Sequence, residues 1–112
     1  MVTGGAGYVG CVLTPQLLNA GYNVTVYDIM YFGDAGLPKH PNLKVLKGDS
    51  RDTPKLETAF KDIDVVLHLA CISNDPSFEL NPELGKSINY DSFPGLVDIA
   101  KDSGVHRFIF AS

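Results

Sequence analysis

The sequence predicts an α/β fold, in which a parallel β-sheet carries helices on both of its faces. Short apolar runs alternate along the chain with longer stretches in which apolar residues have helical spacing. Parallel strands are joined by crossovers over the sheet, and helices usually form these crossovers. The glycine cluster TGGAGYVG at residues 3–10 follows the first apolar residues, which is typical of a strand-to-helix turn. With 112 residues, no internal repeat and no linker, the chain is expected to form one domain.

Four apolar runs predict the strands that follow a short first strand of Met1, Val2 and Thr3. Valine, leucine, isoleucine and aromatic residues dominate these runs, and such residues favour a half-buried or buried strand. The runs cover residues 23–28, 43–47, 65–70 and 106–112. Because the last run ends on Phe108-Ile109-Phe110-Ala111, we expect an apolar strand with an open edge.

The first helix is predicted from Tyr8 to about Ala20, and Gly21 is expected to end it. Pro15 lies inside this helix, where a proline removes one amide donor and should kink the helix at a cost near ~3 kcal/mol. The apolar face is predicted to carry Val9, Leu13, Leu17 and Leu18.

Two further helices begin where a capping oxygen precedes a proline. Thr53-Pro54 and Asn81-Pro82 both have this pattern, with proline at the first helical position. The second of these helices is predicted to run from Pro82 to about Ser103, interrupted by Pro94-Gly95.

Charge and composition exclude several classes of protein. The net charge is −4 and basic residues form no stripe, so neither nucleic acid nor an anionic membrane is an expected partner. No apolar run approaches the ~18 residues of a membrane span, and the N-terminus lacks the pattern of a signal peptide, so we expect a cytoplasmic location. Cys11 and Cys71 have no metal-like spacing and are expected to be reduced packing residues. No metal site is predicted.

The spacing GxxGxxG of Gly4, Gly7 and Gly10 suits a turn that lets the backbone approach a pyrophosphate. The amides of Tyr8 and Val9 at the start of the following helix would then face the phosphates. A flexible surface turn is the alternative interpretation of a glycine cluster considered alone. The residues after the turn favour the phosphate-binding interpretation.

Asp28 stands at the end of the second predicted strand, about 20 residues beyond the glycine turn, where a carboxylate accepts hydrogen bonds from a ribose diol. It would repel a 2′-phosphate, and the residues just after it, Ile29, Met30 and Tyr31, include no arginine. The expected cofactor is therefore NAD. A solvated carboxylate that merely ends the strand is the alternative.

Six segments in this order resemble the extended short-chain dehydrogenase/reductases, nearest to the NAD-dependent sugar-nucleotide epimerases and dehydratases. The segments are TGGAGYVG, VTVYD, KGDSRD, VVLHLA, SINYDSF and RFIFAS, and they span nearly the whole chain. The resemblance implies a Rossmann-type sheet with strand order 3-2-1-4-5, NAD as cofactor, a nucleotide-sugar substrate and a homodimeric parent enzyme.

The resemblance also implies positions of contact with the cofactor. Asp49 and the amide of Ser50 would bind adenine, although Ser50 stands where the family usually has an aliphatic residue. His68 is expected to be a core histidine rather than an acid or a base. The implied cofactor-binding residues are Gly4, Gly7, Tyr8, Val9, Asp28, Ile29, Asp49, Ser50, Leu69, Ala70 and Asn89.

Catalytic residues are not expected within these 112 residues. The family uses a Tyr-x-x-x-Lys pair on a later helix, and none of the five tyrosines here is followed by lysine four positions on. Ser112 matches the serine beside the catalytic one. Both ends look cut, so we expect an inactive, truncated N-terminal part of a larger enzyme.

Two other functions stay open at this point. A non-catalytic NAD(P)-binding sensor of the atypical short-chain type would have a similar fold and would lack Tyr-x-x-x-Lys downstream. An S-adenosylmethionine-dependent methyltransferase also places an acidic residue after its second strand, but the glycine spacing and the HLA segment favour a dinucleotide.

Overall fold

The fold is a five-stranded parallel sheet in the order β3-β2-β1-β4-β5, in agreement with the predicted order. The computed structural model describes residues 1–31, 33–70, 82–86 and 90–111. The strands match the four apolar runs and the short first strand to within a few residues at their ends. They are β1 Val2–Thr3, β2 Val24–Asp28, β3 Leu43–Lys47, β4 Val65–His68 and β5 Arg107–Phe110.

Helices connect the strands and cover both faces of the sheet, as predicted. Val2 and Val26, which are paired across β1 and β2, pack with Leu18 in a cluster on one face. A second cluster, which includes Tyr27 and Phe60, packs helix residues against the other face. The helices are α1 Tyr8–Asn19, α2 Thr53–Ala59, α3 Pro82–Lys86 and α4 Phe93–Asp102.

The buried side of α1 agrees with the predicted apolar face at Leu17 and Leu18 but not at Val9. Its buried residues are Gly10, Thr14 and Leu18, whereas Val9 is 59% exposed. The difference arises because Gly10 lets α1 lie directly on the glycine turn, so the small residues of the helix face the sheet. The helix continues through Pro15.

The end of α1 is as predicted. Gly21 has a φ of +94°, and its amide donates to Leu18 O over 3.0 Å. The amide of Tyr22 donates to Leu17 O over 3.2 Å. These two bonds satisfy the last carbonyl groups of the helix and return the chain towards β2.

The starts of the later helices correct two predictions. The cap of α2 is Asp52, whose carboxylate accepts from the amide of Lys55 over 3.3 Å, so Thr53 is already the first helical residue. The predicted helix from Pro82 to Ser103 is observed as two α-helices, α3 and α4, and residues 87–89 between them lie outside the described residues. Pro94 therefore lies in the first turn of α4, where its missing amide breaks no helical bond. Asn81, the other predicted cap, lies outside the described residues.

The two edges of the sheet have different surfaces. β3 carries Lys44 and Lys47, and charged edge residues of this kind discourage pairing with another strand. β5 exposes Ile109 by 44% and Phe110 by 52%, as the apolar ending of its sequence predicts. Of the helices that the structure describes, none has the length and apolar character needed to cross a bilayer.

Candidate functional site

The glycine turn joins β1 to α1 at the centre of the sheet, where β1 lies between β2 and β4. The amide of Gly4 donates to Tyr27 O over 2.8 Å, and the amide of Gly7 donates to Gly4 O over 3.0 Å. Gly4 has a φ of +73°, which favours glycine. In open α/β sheets, this reversal of strand order is where ligands bind at the carboxyl ends of the strands.

Close backbone contacts explain why side chains are excluded from this turn. A Cβ atom on Gly4 would lie 2.7 Å from Ala70 N, and one on Gly10 would overlap the backbone of Gly5. Gly7 is less constrained, since its Cβ would lie 3.2 Å from Gly4 O. Gly5, which the GxxGxxG spacing does not single out, is also tightly packed, because its Cβ would lie 2.8 Å from the Val26 methyl groups.

The start of α1 presents amides that the helix itself does not use. Gly7 is the N-cap and has no side chain to accept from these amides. The amide of Cys11 donates to Gly7 O over 2.9 Å, which makes it the first helical bond. The preceding amides of Tyr8, Val9 and Gly10 have no acceptor within the helix, and the positive end of the helix dipole lies with them. This arrangement suits an anion such as a pyrophosphate.

Asp28 holds the glycine turn in place. Its Oδ2 accepts from the amide of Ala6 over 3.0 Å, and its Oδ1 accepts from the amide of Met30 over 2.8 Å. Both oxygens retain lone pairs for a further donor, such as a ribose hydroxyl. Ile29 follows directly, and Met30 has a φ of +64°, so the chain turns sharply beside this carboxylate.

Asp49 and Arg51 form an ion pair in the turn after β3. Arg51 donates to Asp49 Oδ1 from Nε and from its own amide, both over 2.8 Å, and it donates to Oδ2 from Nη2. The hydrogen bonds from Arg51 hold the pKa of the Asp49 carboxyl below its usual value. Arg51 was not among the predicted site residues. The KGDSRD segment contains it, two residues after Asp49.

Tyr27 is a second residue that sequence reasoning missed. Its hydroxyl donates to Asp49 O over 2.9 Å and thereby fixes the turn that carries Asp49 and Ser50. Burial, together with the nearby Asp52 and Asp49 carboxylates, raises the pKa of Tyr27 to about 12. The phenol therefore stays protonated and keeps donating this bond over the whole physiological pH range.

A cavity of about 280 Å³ lies beside the Asp49 turn. It opens between the start of α2 and the start of α4, with the buried side chains of Leu56 and Leu96 in its lining. Its polar residues include Ser50, whose Oγ is 3.5 Å from Ser92 Oγ. The full lining is Ser50, Arg51, Thr53, Leu56, Asp91, Ser92, Gly95 and Leu96.

The end of β4 lies against the glycine turn. The amide of Leu69 donates to Thr3 O over 3.0 Å, and the amide of Ala70 donates to Thr3 Oγ1 over 3.4 Å. The backbone from Leu69 to Ala70 would meet any Cβ on Gly4. The structure thus brings the predicted residues Gly4, Leu69 and Ala70 together.

His68 is a buried core histidine, as predicted. Its Nδ1 is 2.6 Å from Thr3 Oγ1, and its ring stacks on Phe110 at a centroid distance of 5.8 Å. The rings of Phe93 and Phe108 also contact it. Burial lowers the pKa of His68 from its ordinary 6.5 to about 4.

This burial predicts a pH dependence of stability. The unfolded chain binds a proton on His68 near pH 6.5, whereas the folded chain binds it only near pH 4. Protonation therefore favours unfolding: the stability that neutral His68 provides is complete above pH 6.5 and falls as the pH drops towards 4. Between these two pH values, titration of His68 changes the free energy of unfolding by at most about 1.4 kcal/mol per pH unit. Urea unfolding at several pH values between 4 and 7.5 measures it.

The variant His68→Asn keeps a hydrogen-bonding side chain and removes this titration. We expect it to flatten the dependence between pH 6.5 and pH 4, whatever its stability at neutral pH. The matched control is His106→Gln, since His106 is exposed. An unchanged slope in His68→Asn would contradict the assignment.

The predicted site residues lie around the carboxyl ends of β1, β2, β3 and β4. The contacts above join the glycine turn to Asp28 and to the end of β4, and they join the Asp49 turn to β2. Asn89 and Cys71 lie outside the described residues. Within residues 1–31, 33–70, 82–86 and 90–111, no three His, Cys, Asp or Glu side chains could hold a metal ion together.

Solved structures share this architecture. An epimerase from Methanothermobacter thermautotrophicus matches 99% of this chain and 34% of its own, with a TM-score of 0.92 and 35% identity. A UDP-glucose 4-epimerase from Thermus thermophilus, solved in complex with NAD, matches 99% of this chain and 36% of its own, with a TM-score of 0.88 and 30% identity.

Curated relatives include enzymes with different substrates. A UDP-glucose 4-epimerase from Streptomyces lividans is 34% identical over 100% of this chain and 35% of the relative. A 3-beta-hydroxysteroid dehydrogenase from Mycolicibacterium neoaurum is 31% identical over 100% of this chain and 31% of the relative. The chain thus spans about a third of the length of the relatives it matches.

The family that matches is described as the NAD dependent epimerase/dehydratase family, and the match extends over residues 1–112. NAD, the cofactor expected from Asp28 and the glycine turn, is the cofactor of this family. With the sheet order, the glycine turn and the match in agreement, the chain belongs to the NAD-dependent epimerase/dehydratase family.

Proposed function

We propose that this chain is the NAD-binding portion of an enzyme that oxidises and re-reduces a carbon of a nucleotide sugar. One observation supports the proposal above all others: the backbone at Gly4 touches the backbone at Ala70, so the turn leaves no room for a side chain there. The amides at the start of α1 lie next to this contact. A pyrophosphate can approach such a turn closely enough to accept hydrogen bonds from them.

The chain's own residues would hold the dinucleotide in three parts. The amides of Tyr8 and Val9 would donate to the pyrophosphate, with Gly4 and Gly7 leaving space for it. Asp28, beside Ile29, would accept from the adenosine ribose. Leu69 and Ala70 would lie beneath the nicotinamide-side ribose.

The adenine ring would enter the cavity beside the Asp49 turn. The amide of Ser50 would donate to the ring, and Asp49 Oδ2 retains acceptor capacity for its amino group. Asn89 would help to place the strand before the active site. The solvated-carboxylate interpretation of Asp28 is disfavoured, because this carboxylate binds the glycine turn directly.

NAD held by these residues would supply the hydride acceptor and donor for the substrate carbon. The residues of this chain bind and orient the cofactor, and the proton-transfer residues of the family belong to a later segment. We propose that residues 1–112 alone turn over no substrate, and that the enzyme is a cytoplasmic homodimer. The nucleotide-sugar class is favoured because the solved UDP-glucose 4-epimerases and dTDP-glucose 4,6-dehydratase share this fold over nearly the whole chain.

The test uses the protein expressed from the gene that contains this chain. Calorimetric titration is expected to show binding of NAD, with NADP at least ~10-fold weaker because Asp28 would repel a 2′-phosphate. UDP-glucose and a 3β-hydroxysteroid are then offered to the NAD-loaded protein, and we expect binding of the nucleotide sugar. Absence of NAD binding and of nucleotide-sugar binding would overturn the proposal.

The same protein decides between an enzyme and a redox sensor. A Tyr-x-x-x-Lys sequence on a later helix, together with turnover of a nucleotide sugar, supports the enzyme. Tight NAD(P) binding without that pair and without turnover would support the sensor.

A further inference from the structure

The hydroxyl of Tyr27 reaches from β2 to the turn that follows β3. It donates to Asp49 O over 2.9 Å. Tyr27 is only 1% exposed, and it belongs to the core cluster that also contains Leu56 and Phe60. Because side chains in a close-packed core have little room to move, the ring holds its hydroxyl at one point beside the turn.

Gly48 makes room for this hydroxyl. A Cβ atom on Gly48 would overlap the Tyr27 hydroxyl, so a larger residue there would have to displace the phenol. The amide of Gly48 also donates to Asp28 O over 2.8 Å, which continues the pairing of β2 with β3. The bond from the Tyr27 hydroxyl extends this attachment by one residue, to the carbonyl group of Asp49.

The Asp49 carbonyl and the Ser50 amide belong to one peptide unit. Such a unit is planar, and in its trans form the C=O and N–H groups point in opposite directions. None of the peptide bonds among the described residues is cis. Asp49 O accepts from the Tyr27 hydroxyl over 2.9 Å and from the amide of Asp52 over 3.0 Å, which uses both lone pairs of the carbonyl. The two bonds therefore fix the plane of the unit, with the Ser50 N–H pointing away from the phenol.

The bond from Tyr27 also strengthens the Ser50 amide as a donor. A carbonyl that accepts a hydrogen bond polarises its own peptide unit, and the N–H of that unit then donates more strongly. Ser50 lines the cavity beside the turn, and its amide is the donor that we assign to the adenine ring. Tyr27 would thus act on the base through the turn, without touching it.

We propose that Tyr27 is a positioning residue for adenine recognition, because its hydroxyl orients the peptide unit of Asp49 and Ser50 and so directs the Ser50 amide towards the base. This inference rests on the proposed NAD-binding function. The turn offers a donor, the Ser50 amide, beside an acceptor, the Asp49 carboxylate. Adenine has the complementary pair, a ring nitrogen that accepts beside an amino group that donates.

The experiment compares NAD with nicotinamide hypoxanthine dinucleotide, in which a carbonyl replaces the amino group of the base and ring N1 carries a hydrogen. Both are titrated by calorimetry into the natural protein, expressed from the gene that contains this chain, and into Tyr27→Phe. We expect the natural protein to prefer NAD by at least ~10-fold, since the hypoxanthine edge mismatches the turn. Tyr27→Phe is expected to reduce this preference about three- to tenfold, the effect of one hydrogen bond.

The preference separates positioning from stability. The two dinucleotides share the pyrophosphate and both riboses, so a general loss of folded protein weakens both equally and cancels in the ratio. Gly48→Ala is expected to lower the preference as well, because the added methyl group must displace the Tyr27 hydroxyl. The control Tyr22→Phe removes a hydroxyl from a residue that is 61% exposed and is expected to leave both affinities unchanged.

Two results would overturn the inference. One is equal affinity of the natural protein for the two dinucleotides, and the other is an unchanged preference in Tyr27→Phe or in Gly48→Ala. A natural protein that binds neither dinucleotide would instead refute the proposed function itself.

Discussion

Replacing Gly4 with alanine is expected to abolish NAD binding and to destabilise the fold by about 2–5 kcal/mol. The left-handed backbone, with φ at +73°, costs an alanine about 1–2 kcal/mol. The added methyl group would lie 2.7 Å from Ala70 N, and forcing it into this packing adds about 1–3 kcal/mol. Relief of that clash must separate the glycine turn from the end of β4. Urea unfolding and NAD titration measure the two effects.

A glycine control for the stability measurement is available in α4. A Cβ on Gly95 would meet nothing within 4 Å, and its φ is not positive. Gly95→Ala is expected to stabilise the protein by about 0.5–1 kcal/mol, because alanine loses less conformational freedom in a helix. A Gly4→Ala protein with natural stability and natural NAD affinity would show that the close approach at Ala70 is not required.

Replacing Asp28 with asparagine is expected to weaken NAD binding by about 10- to 100-fold, equivalent to about 1.4–2.8 kcal/mol. The carboxylate accepts from the amides of Ala6 and Met30 at the same time, whereas an asparagine side chain has one acceptor oxygen and must leave one of them unpaired. The substitution also removes the negative charge of Asp28, which would repel a 2′-phosphate. NADP should therefore lose less affinity than NAD, and parallel titrations measure the difference.

Asp98 supplies the control for this substitution, since it is an exposed carboxylate on α4. Asp98→Asn changes the net charge equally and is expected to leave both affinities as they are. Equal weakening of NAD and NADP in Asp28→Asn would argue that Asp28 only positions the glycine turn and does not read the ribose.

Local sequence patterns were sufficient to predict the strands, the end of α1 and, with the family resemblance, the strand order. The observed boundaries of β3 are those predicted. Gly21 ends α1 in the left-handed conformation, as expected of a glycine at this position. Strand order agrees because the alternation of strands and helices, together with the family resemblance, restricts the topology. Helical periodicity predicted the burial of Leu18 correctly but not the exposure of Val9, because the first turns of α1 pack on the glycine turn through Gly10 and Thr14.

Prediction missed one residue whose role depends on strand pairing and two residues whose roles are local. The sequence pattern identifies Tyr27 only as a residue of β2. Its hydroxyl can donate to Asp49 O because β3 lies beside β2 in the sheet. Arg51 lies only two residues from Asp49, so their ion pair is local, but the sequence pattern does not distinguish it from a solvated charge in a loop. Asp52 displaced Thr53 as the cap of α2 because aspartate lies one position earlier and caps equally well.

The amides at the start of α1 are expected to bind the pyrophosphate of NAD. Backbone amide chemical shifts, recorded by NMR while NAD is added to the protein expressed from this gene, test this expectation most directly. The largest shifts are expected at Gly7, Tyr8, Val9 and Gly10, with smaller ones at Ser50 and Ala70. Shifts that leave the amides of residues 7–10 unmoved while NAD binds would contradict it.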